Sequence, residues 1–369
     1  MATPSALPVR SIHIAPAPLQ ELGGSSVWSK RHVPVVLELD GRPVTARLRH
    51  RGGHTRLYPK KSYELLLQDG TVLHWNAEYD DPSMLRNALS FHFFSRIGLP
   101  SPRTLHCDAY WNGHPIGLYL EIEAVDARFF AQRGIDVKTL IYAVNDRAGF
   151  GLREPGTGKR KRSLTEGYEF VLGDPAAAAQ LRGFIRKLHD RRGDPLKRHL
   201  QDTVDIEAYL KWLAGAVLTG NYDGFEQNYA LYTRQSDDRL RVMPWDYEGT
   251  WGRDCYGMPC SGELVRLRGY NALTRRLFAF AEYRVQYRRL MEELLETEFT
   301  AAALGPVIAE RHAAIAHAIA RDATRKWSYA VFAEEPRRIR TYIEQRRAFL
   351  LRELQRWRRA ERQGNRVAG

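Results

Sequence analysis

The chain has 369 residues, of which 44% are hydrophobic and 27% charged, so it has the composition of a globular protein with a substantial core. Its 56 basic and 43 acidic residues give a net charge of +13 and a pI near 9.7. This charge favours anionic partners: a nucleotide, an acidic protein, nucleic acid or a membrane surface. No apolar run is long enough to span a membrane and the chain start lacks a signal-peptide pattern, so we expect a cytoplasmic protein.

The three cysteines, Cys107, Cys255 and Cys260, are too few for a disulfide framework. The spacing of Cys255 and Cys260 fits a loop disulfide, one half of a metal site, or two free thiols. We expect free thiols, because a reducing cytosol keeps such cysteines unpaired.

The first strands are predicted to form a hairpin. Residues 1–30 contain proline and serine without clear periodicity, so we expect an irregular arm there. Two alternating segments follow, Val33–Leu39 and residues 44–49, and the Asp40-Gly41 pair between them predicts a hairpin turn.

The second of these strands leads into a glycine pair flanked by basic residues and a hydroxyl. Such a segment lets backbone N–H groups approach phosphate, although it is neither a Walker A motif nor G-x-G-x-x-G. A plain flexible turn explains the same spacing. The candidate nucleotide-binding residues here are Arg51, Gly52, Gly53 and Thr55.

Lys60 and Lys61 begin a third apolar segment, residues 59–67. Because strand side chains alternate between faces, Lys61 shares a face with Tyr63 and Leu65, whereas Lys60 lies opposite. A lysine on the apolar face after a phosphate loop is where a kinase contacts the phosphates, so we favour Lys61. Two solvated lysines at a strand end are the alternative.

A helix is predicted from Asp81-Pro82-Ser83, with Asp81 as its N-cap. It contains no glutamate to pair with the lysine, and Arg86 on it is free to meet an acidic group. A second hairpin, residues 105–111 and 116–122, ends at Glu121 and Glu123. These two carboxylates fit a hinge whose backbone holds adenine, and they fit an ordinary strand end equally well.

The middle and end of the chain are mostly helical in pattern. Residues 145–168 are rich in glycine and basic residues; this segment either binds acidic partners or is a solvated loop. Asp174 and Asp205 are predicted to cap helices. Four further amphipathic helices are predicted over residues 271–281, 283–296, 301–324 and 336–359, mainly as packing elements.

The most informative stretch is residues 221–252. Asp223 and Asn228 form D-x-x-x-x-N, two β-prone segments follow at 229–233 and 240–243, and Asp246 comes directly after them. Phosphoryl transfer in kinases uses this order: a catalytic Asp, a metal-binding Asn, a hairpin, then a second metal-binding Asp. Turn-capping by Asp223 and Asn228, with Asp246 as a surface carboxylate, is the alternative.

Several short motifs occur along the chain in one order, at residues 47–55, 59–63, 81–87, 111–126, 221–228 and 244–252. Together they resemble the CotH kinase family, which is named for spore coats. The resemblance covers roughly residues 30–290 and departs from the family pattern in the glycine loop, where Gly53 and Thr55 take the last positions.

This resemblance implies an α+β, two-lobed, atypical protein-kinase-like fold that binds ATP with Mg²⁺ or Mn²⁺ and phosphorylates protein Ser or Thr. On it, we expect an arm over 1–30, a β-rich N-lobe over 31–123 and a mainly helical C-lobe over 124–369. Asp223 and Lys61 resemble the catalytic pair, and Asn228 and Asp246 the metal ligands. Transfer to a small molecule, transfer of AMP, and a non-catalytic basic binding module are the alternatives; no nucleic-acid-binding pattern is present.

Overall fold

The computed structural model describes residues 7–367, which divide into two compact units. Unit 1 contains the chain up to Leu89, with Pro102–Val125 and Pro306–Pro336; unit 2 contains Ser90–Ser101, Asp126–Gly305 and the chain from Arg337 onward. Pro306–Pro336 lies after the boundary predicted at residue 123 but belongs to unit 1, and Ser90–Ser101 lies before that boundary but belongs to unit 2.

Unit 1 is built on a closed seven-stranded barrel. The strands are β1 (Val9–His13), β2 (Val33–Leu39), β3 (Arg42–Arg51), β4 (Ser62–Leu67), β5 (Val72–Asn76), β6 (Thr104–Trp111) and β7 (His114–Glu123). Around the barrel the order is β1-β2-β3-β4-β5-β7-β6. Neighbouring strands pair antiparallel, except that β1 and β6 are parallel.

The first 30 residues are not an irregular arm where the structure describes them. Val9 pairs with Asp108 of β6 and Arg10 pairs with Leu39 of β2, so β1 closes the barrel. Helix α1 (Pro16–Gly24) follows, with proline in its first turn. The strand was missed because its five residues are too few to show a clear alternation. Residues 1–6 lie outside the described part.

Both predicted hairpins of the barrel are confirmed. Leu37, Leu48 and Leu65 are fully buried in its core beside Trp75, in agreement with the alternation that predicted these strands. Turn residues Asp40 and Asn112 adopt the left-handed backbone conformation that the Asp-Gly and Asn-Gly turns predict.

A buried ion cluster of unit 1 fixes the start of helix α2 (Arg86–Arg96), whose residues from Ser90 onward belong to unit 2. Asp81 Oδ1 accepts hydrogen bonds from Ser83 and from the Arg86 guanidinium at 2.5 Å, and Arg86 also donates to Glu335 at 2.7 Å. All three charged side chains are fully buried. Arg86, to which the sequence assigned no role, thus contacts two acidic groups, and the helix begins five residues later than Asp81.

Unit 2 combines a four-stranded sheet with most of the helices. The antiparallel sheet has the order β11-β10-β8-β9, with β8 (Val137–Ala143), β9 (Tyr168–Leu172), β10 (Tyr229–Arg234) and β11 (Arg241–Pro244). The remaining helices of the chain are α3 (Ala127–Ala131), α4 (Ala176–Asp190), α5 (Gly193–Thr203), α6 (Ile206–Thr219), α7 (Ala272–Leu277), α8 (Ala281–Glu296), α9 (Ala301–Arg321) and α10 (Tyr329–Val367).

Local signals placed several of these elements correctly. Asp205 caps α6 by accepting from the Ala208 N–H at 3.1 Å, and Asp174 accepts from the Ala176 N–H at 2.9 Å. The hairpin of β10 and β11 is confirmed. Strands β8 and β9 and helix α5 were not predicted. The chain is therefore a mixed α+β protein with a β-rich N-terminal region and a helical C-terminal part.

Candidate active site

The candidate catalytic loop, residues 221–228, is held at both ends by regular structure. Helix α6 stops at Gly220, whose φ of 74° is left-handed and whose N–H donates to Ala216 and Val217. A Cβ atom at Gly220 would lie 2.2 Å from the Tyr342 hydroxyl oxygen, so only glycine fits. At its other end the loop runs directly into β10.

Asp223 and Asn228 contact each other across this loop. The Asn228 Nδ2 donates to Asp223 Oδ2 at 3.1 Å, and the Gln227 Nε2 donates to Asp223 Oδ1 at 2.6 Å. Both carboxylate oxygens of Asp223 therefore accept from amides of the same loop. This fixes the orientation of a half-buried carboxylate, as a positioned general base requires.

The register of the hairpin brings Asn228 and Asp246 to one end of the sheet. Tyr229 pairs with Pro244, so Asn228, one residue before β10, and Asp246, two residues after β11, lie at the same end of the ladder. Both residues have φ of 59°, in the left-handed region that ordinary residues rarely adopt. Such backbone conformations concentrate at functional sites, where the fold enforces them.

Other segments of unit 2 anchor the backbone of the loop. The buried Asn271 side chain donates to the Phe225 carbonyl at 2.6 Å, and the Gly149 N–H donates to the Glu226 carbonyl at 2.9 Å. The Asn228 N–H donates to Ala143 of β8 at 2.9 Å. Carbonyls and N–H groups that would otherwise be mobile are thus fixed on both sides of Asp223.

The segment after Asp246 is buried although Asp246 itself is exposed. Tyr247 packs edge-on against Phe94, with ring centroids 5.0 Å apart. The Trp251 indole donates to Ser90 at 2.9 Å, and its backbone N–H donates to Thr219 at 2.8 Å. These buried contacts hold the exposed carboxylate of Asp246 at a fixed place on unit 2.

Cys255 is close enough to Asp223 for the charge of that carboxylate to act on its thiol. The Tyr222 hydroxyl lies 3.3 Å from the Cys255 sulfur. Burial raises the pKa of Cys255 most, the contact with Tyr222 lowers it, and the carboxylates of Asp223 and Glu248 raise it further. Cys107, Cys255 and Cys260 are free thiols, as expected.

In unit 1, part of the predicted phosphate loop forms one connected structure. Gly52 has φ of 107°, and a Cβ atom there would lie 2.2 Å from Thr55 Oγ1. The Arg56 guanidinium donates to the Gly52 carbonyl at 2.6 Å, and Lys61 Nζ donates to the Arg56 carbonyl at 2.7 Å. The lysine thus lies against the loop that contains Gly52, Gly53 and Thr55.

Lys61 does not lie on the apolar face of a strand, so that prediction is wrong. Strand β4 begins at Ser62, after both lysines, and Lys60 is the buried one. Lys60 Nζ donates to Asp322 at 2.9 Å and to the Leu118 carbonyl at 2.7 Å. Burial lowers the pKa of Lys60, and Asp322 opposes that shift.

The other predicted nucleotide-binding side chains have partners within unit 1. Arg51 donates to Asn76 at 2.5 Å. Glu121 accepts from the Trp75 indole at 3.0 Å and from Arg10 at 3.2 Å. Glu123 accepts from the backbone N–H of Arg103 at 2.9 Å. A nucleotide role for Arg51, Glu121 and Glu123 stays a prediction.

Comparison with known proteins places the chain in a family. The family model described as CotH kinase protein matches residues 48–350. The chain is also 36% identical to the inner spore coat protein H of Bacillus subtilis (strain 168), over 95% of this chain and 98% of that protein. The chain belongs to the CotH kinase family. This membership supports a kinase-like phosphotransferase.

Two further matches are more distant. A second protein of Bacillus subtilis (strain 168), the inner spore coat protein H-like protein, is 28% identical over 78% of this chain and 82% of that protein. The crystal structure of the Helicobacter pylori proinflammatory kinase CtkA matches at a TM-score of 0.34 and 9% identity, over 80% of this chain and 94% of that chain. That structural likeness is too low to support an inference.

The location of this CotH-family chain stays a prediction. Its Bacillus subtilis relative is named for the spore coat, whereas the sequence predicted the cytoplasm. Across residues 7–367, each helix is either too short or too polar to serve as a membrane span.

Asn228 and Asp246 of this CotH-family chain have oxygen atoms of the kind that bind a divalent cation of the Mg²⁺ class. Asn228 uses its amide nitrogen on Asp223, which leaves the amide oxygen as the atom that could coordinate, and Asp246 supplies a carboxylate. In the described part of the chain, no group of three or more His, Cys, Asp or Glu side chains could hold a metal by itself. Mg²⁺ usually takes only one or two carboxylates and completes its shell with phosphates and water, so the two residues fit.

Proposed function

We propose that this CotH-family chain transfers the γ-phosphoryl group of ATP to Ser or Thr hydroxyls of a protein, with a divalent cation. The observation that carries the proposal is the geometry of unit 2. An oriented carboxylate, Asp223, contacts Asn228, and the ends of the β10–β11 hairpin support a shared site for Asn228 and Asp246. This is the order of catalytic and metal-binding groups used in kinase phosphoryl transfer.

Asp223 accepts the proton of the attacking hydroxyl. The hydroxyl oxygen forms a bond to the γ-phosphorus, the bond from that phosphorus to the β–γ bridging oxygen breaks, and ADP leaves. Gln227 and Asn228 hold both oxygens of Asp223 in place during this step. Because little covalent work falls to the protein in such reactions, positioning and charge neutralisation supply most of the acceleration.

Asn228 and Asp246 would hold Mg²⁺ or Mn²⁺, which when bound neutralises charge on the phosphates. Burial is the main cause of the raised pKa of Cys255, and Asp223 and Glu248 add to it through their negative charge. A bound cation would offset the negative charge of these carboxylates.

The same proposal assigns the phosphate contacts of unit 1. Arg51, Gly52, Gly53 and Thr55 supply backbone and side-chain donors to ATP, with Lys61 as the phosphate lysine. The hydrogen bond from Lys61 to the loop supports grouping them. The hinge role of Glu121 and Glu123 and the two-lobed kinase-like arrangement also belong to this proposal.

The test uses γ-³²P-ATP and α-³²P-ATP with Mg²⁺ or Mn²⁺ and a Ser-containing protein acceptor. We expect transfer of the γ label alone. Asp223→Asn and Asp246→Asn should each lower kcat by at least about 100-fold, because the first removes the proposed base and the second a proposed metal ligand. Transfer of the α label would instead identify an AMP transferase, and equal labelling by wild type and variants would exclude the proposed roles.

Asp246→Gly separates a functional carboxylate from a structural one. Glycine removes the cost of the left-handed backbone at this position, on the order of 1 kcal/mol, which offsets the lost side-chain contacts. We expect the activity loss of Asp246→Asn together with a melting temperature at or above that of wild type. A glycine variant that is inactive and clearly less stable would contradict a purely functional role.

A further inference from the structure

The chain that follows Asp246 forms a short ordered hairpin over residues 252–260. Arg253 and Pro259 pair in an antiparallel bridge, and the Cys260 N–H donates to the Gly252 carbonyl at 2.9 Å. These backbone contacts give the side chains at the tip of the hairpin fixed places.

The tip of this hairpin exposes two large apolar side chains. Asp254 Oδ1 accepts from the backbone N–H groups of Tyr256 at 2.9 Å and of Met258 at 2.8 Å, so the backbone of both residues is held. Their side chains are nevertheless 54% and 55% exposed. Because water contact disfavours apolar surface, a partner that covered these side chains would gain free energy.

The hairpin contacts the candidate catalytic loop through Cys255. The Tyr222 hydroxyl, one residue before Asp223, lies 3.3 Å from the Cys255 sulfur. A Cβ atom at Gly249 would lie 2.8 Å from the Cys255 backbone nitrogen, so the hairpin also packs closely against the chain three residues after Asp246. The exposed tip is thus attached beside the segments of the proposed base and of a proposed metal ligand.

A second pair of exposed apolar side chains, Leu264 and Tyr270, adjoins the same loop after Asp223. The Tyr270 hydroxyl donates to the Leu264 carbonyl at 2.9 Å. The Tyr270 ring packs edge-on against the buried Phe225, with centroids 5.4 Å apart. Phe225 lies two residues beyond Asp223, whereas Tyr222 precedes it, so the two pairs contact the loop on either side of the proposed base in sequence.

Exposed apolar side chains are concentrated in this part of the molecule. Four of the 14 large apolar side chains that are exposed in the described chain lie within residues 256–270. Singly scattered ones need no partner, whereas a group around one loop indicates a contact site. We call this group the flanking apolar residues: Tyr256, Met258, Leu264 and Tyr270.

We propose that the flanking apolar residues bind apolar side chains of the protein acceptor, next to the Ser or Thr that is phosphorylated. The inference rests on the proposed function and adds a substrate preference to it. The acceptor is the expected occupant, because its hydroxyl has to lie at Asp223 and these residues adjoin the loop of Asp223 both before and after it. They carry no formal charge, so we expect burial of apolar surface, rather than ion pairing, to select the acceptor.

The kinetic test compares two peptides in which one Ser is flanked on both sides by Leu or, at similar size, by Asn. For wild type we expect a KM about tenfold lower for the Leu peptide, at similar kcat, as partial burial of a leucine side chain allows. In Y256Q/M258Q the two peptides should have the same KM within about twofold. An unchanged preference in this variant overturns the proposal.

A single change on the other side of the loop provides a second test. L264Q keeps the backbone carbonyl that accepts from Tyr270 and removes only one exposed apolar side chain. We expect it to reduce the preference for the Leu peptide about threefold. If Y256Q/M258Q does not fold, L264Q decides: a full wild-type preference in it contradicts the proposal.

Salt separates apolar burial from charge. In wild type the preference for the Leu peptide should persist at 0.5 M NaCl, because salt screens exposed charges and does not weaken apolar contacts. A preference that disappears at this salt concentration would show that charge selects the acceptor and would overturn the proposal.

The matched control is Y329Q/L19Q. It removes one tyrosine and one other large apolar side chain from exposed positions of α10 and α1, where they are 48% and 40% exposed. We expect the control to keep the wild-type preference. An equal loss in the control would show that exposed apolar surface of any kind is responsible and would contradict a specific site.

Direct binding distinguishes this inference from the proposed function. Anisotropy of a fluorescein-labelled Leu peptide, titrated with the full chain without ATP, should show binding that weakens about tenfold in Y256Q/M258Q. If no γ label is ever transferred but this binding pattern holds, the kinase proposal fails and the binding site stands. If labelling works but the variant binds the peptide as wild type does, the binding site fails.

Sedimentation velocity tests a second copy of the chain as the occupant. We expect wild type and Y256Q/M258Q to sediment alike at the concentrations used for binding. A wild-type dimer that this variant dissociates would identify the flanking apolar residues as a contact between copies and would overturn their role in acceptor binding.

Discussion

Lys60 and Lys61 show how adjacent residues of one type take different roles. Strand alternation assigned Lys61 to the buried face, but alternation holds only inside a strand, and β4 starts at Ser62. Lys60 is buried because Asp322 and the Leu118 carbonyl replace its hydration. Lys61 donates to the Arg56 carbonyl of the predicted phosphate loop, and its contact with phosphate remains a proposal.

His106 makes the stability of unit 1 depend on pH. It is buried on β6, its Nε2–H donates to the Met84 carbonyl at 2.7 Å, and burial lowers its pKa to about 4. Arg311 lowers this pKa further, whereas Asp81 opposes the shift. Below pH 6.5 this histidine is protonated in the unfolded state, whereas in the folded state it is protonated only below about pH 4. We expect this histidine to remove about 2 kcal/mol of unfolding free energy between pH 7.5 and pH 5.

Urea unfolding at several pH values measures this loss. His106→Gln should reduce the loss of unfolding free energy between pH 7.5 and pH 5 by about 2 kcal/mol, because glutamine does not titrate. His114→Gln, at an exposed position of β7, should leave the dependence unchanged. A His106 variant with the full wild-type slope would show that other groups cause it.

At the scale of elements, Gly215 sets how closely α6 approaches the aromatic residues of unit 2. Helix α6 is buried around most of its circumference, and a Cβ atom at Gly215 would lie 2.2 Å from the ring of Phe94. Phe94 in turn packs on Tyr247, next to Asp246. A small residue in α6 therefore affects where the segment of Asp246, the proposed metal ligand, can lie.

Gly215→Ala should lower the free energy of unfolding by about 1–3 kcal/mol, because the added methyl group overpacks this contact. The matched change is Gly183→Ala in α4, where a Cβ atom would meet nothing within 4 Å. There we expect a gain of about 0.5–1 kcal/mol from helix propensity. Thermal and urea unfolding of both variants measure the difference, and a neutral Gly215→Ala would mean that α6 shifts without cost.

At the scale of the whole molecule, the last helix supports the candidate catalytic loop. Arg346 of α10 is fully buried and donates to the carbonyls of Val217 at 2.9 Å and Val265 at 2.7 Å. Tyr342 donates to the Leu218 carbonyl at 3.0 Å. Helix α10 was predicted only as a packing element, yet these bonds fix the end of α6 just before Asp223.

Arg346→Met should destabilise the protein by about 3 kcal/mol or more, because several buried carbonyls lose their donors at once. Arg340→Met, the same change at an exposed position of α10, should have little effect. Urea unfolding gives the stability of both, and peptide phosphorylation below the melting temperature gives the activity. A stable Arg346→Met variant would exclude the supporting role of this helix.

The sequence by itself determined the features that neighbouring residues control. Turn pairs such as Asp40-Gly41, caps such as Asp205, and the hairpin between Asn228 and Asp246 were predictable, because their hydrogen bonds and backbone angles are set within a few residues. The D-x-x-x-x-N spacing likewise places Asp223 beside Asn228 in one loop.

Only the tertiary structure decided which distant residues meet. Asp322 pairs with Lys60 across 262 residues of chain, Arg346 reaches Val217, and β1 closes the barrel against β6. No local pattern marks these partners, because many acidic or apolar residues could have filled each position and burial of the assembled units selects one. The residues that support the candidate site therefore lie in parts of the chain where the sequence predicts only packing helices or an irregular arm.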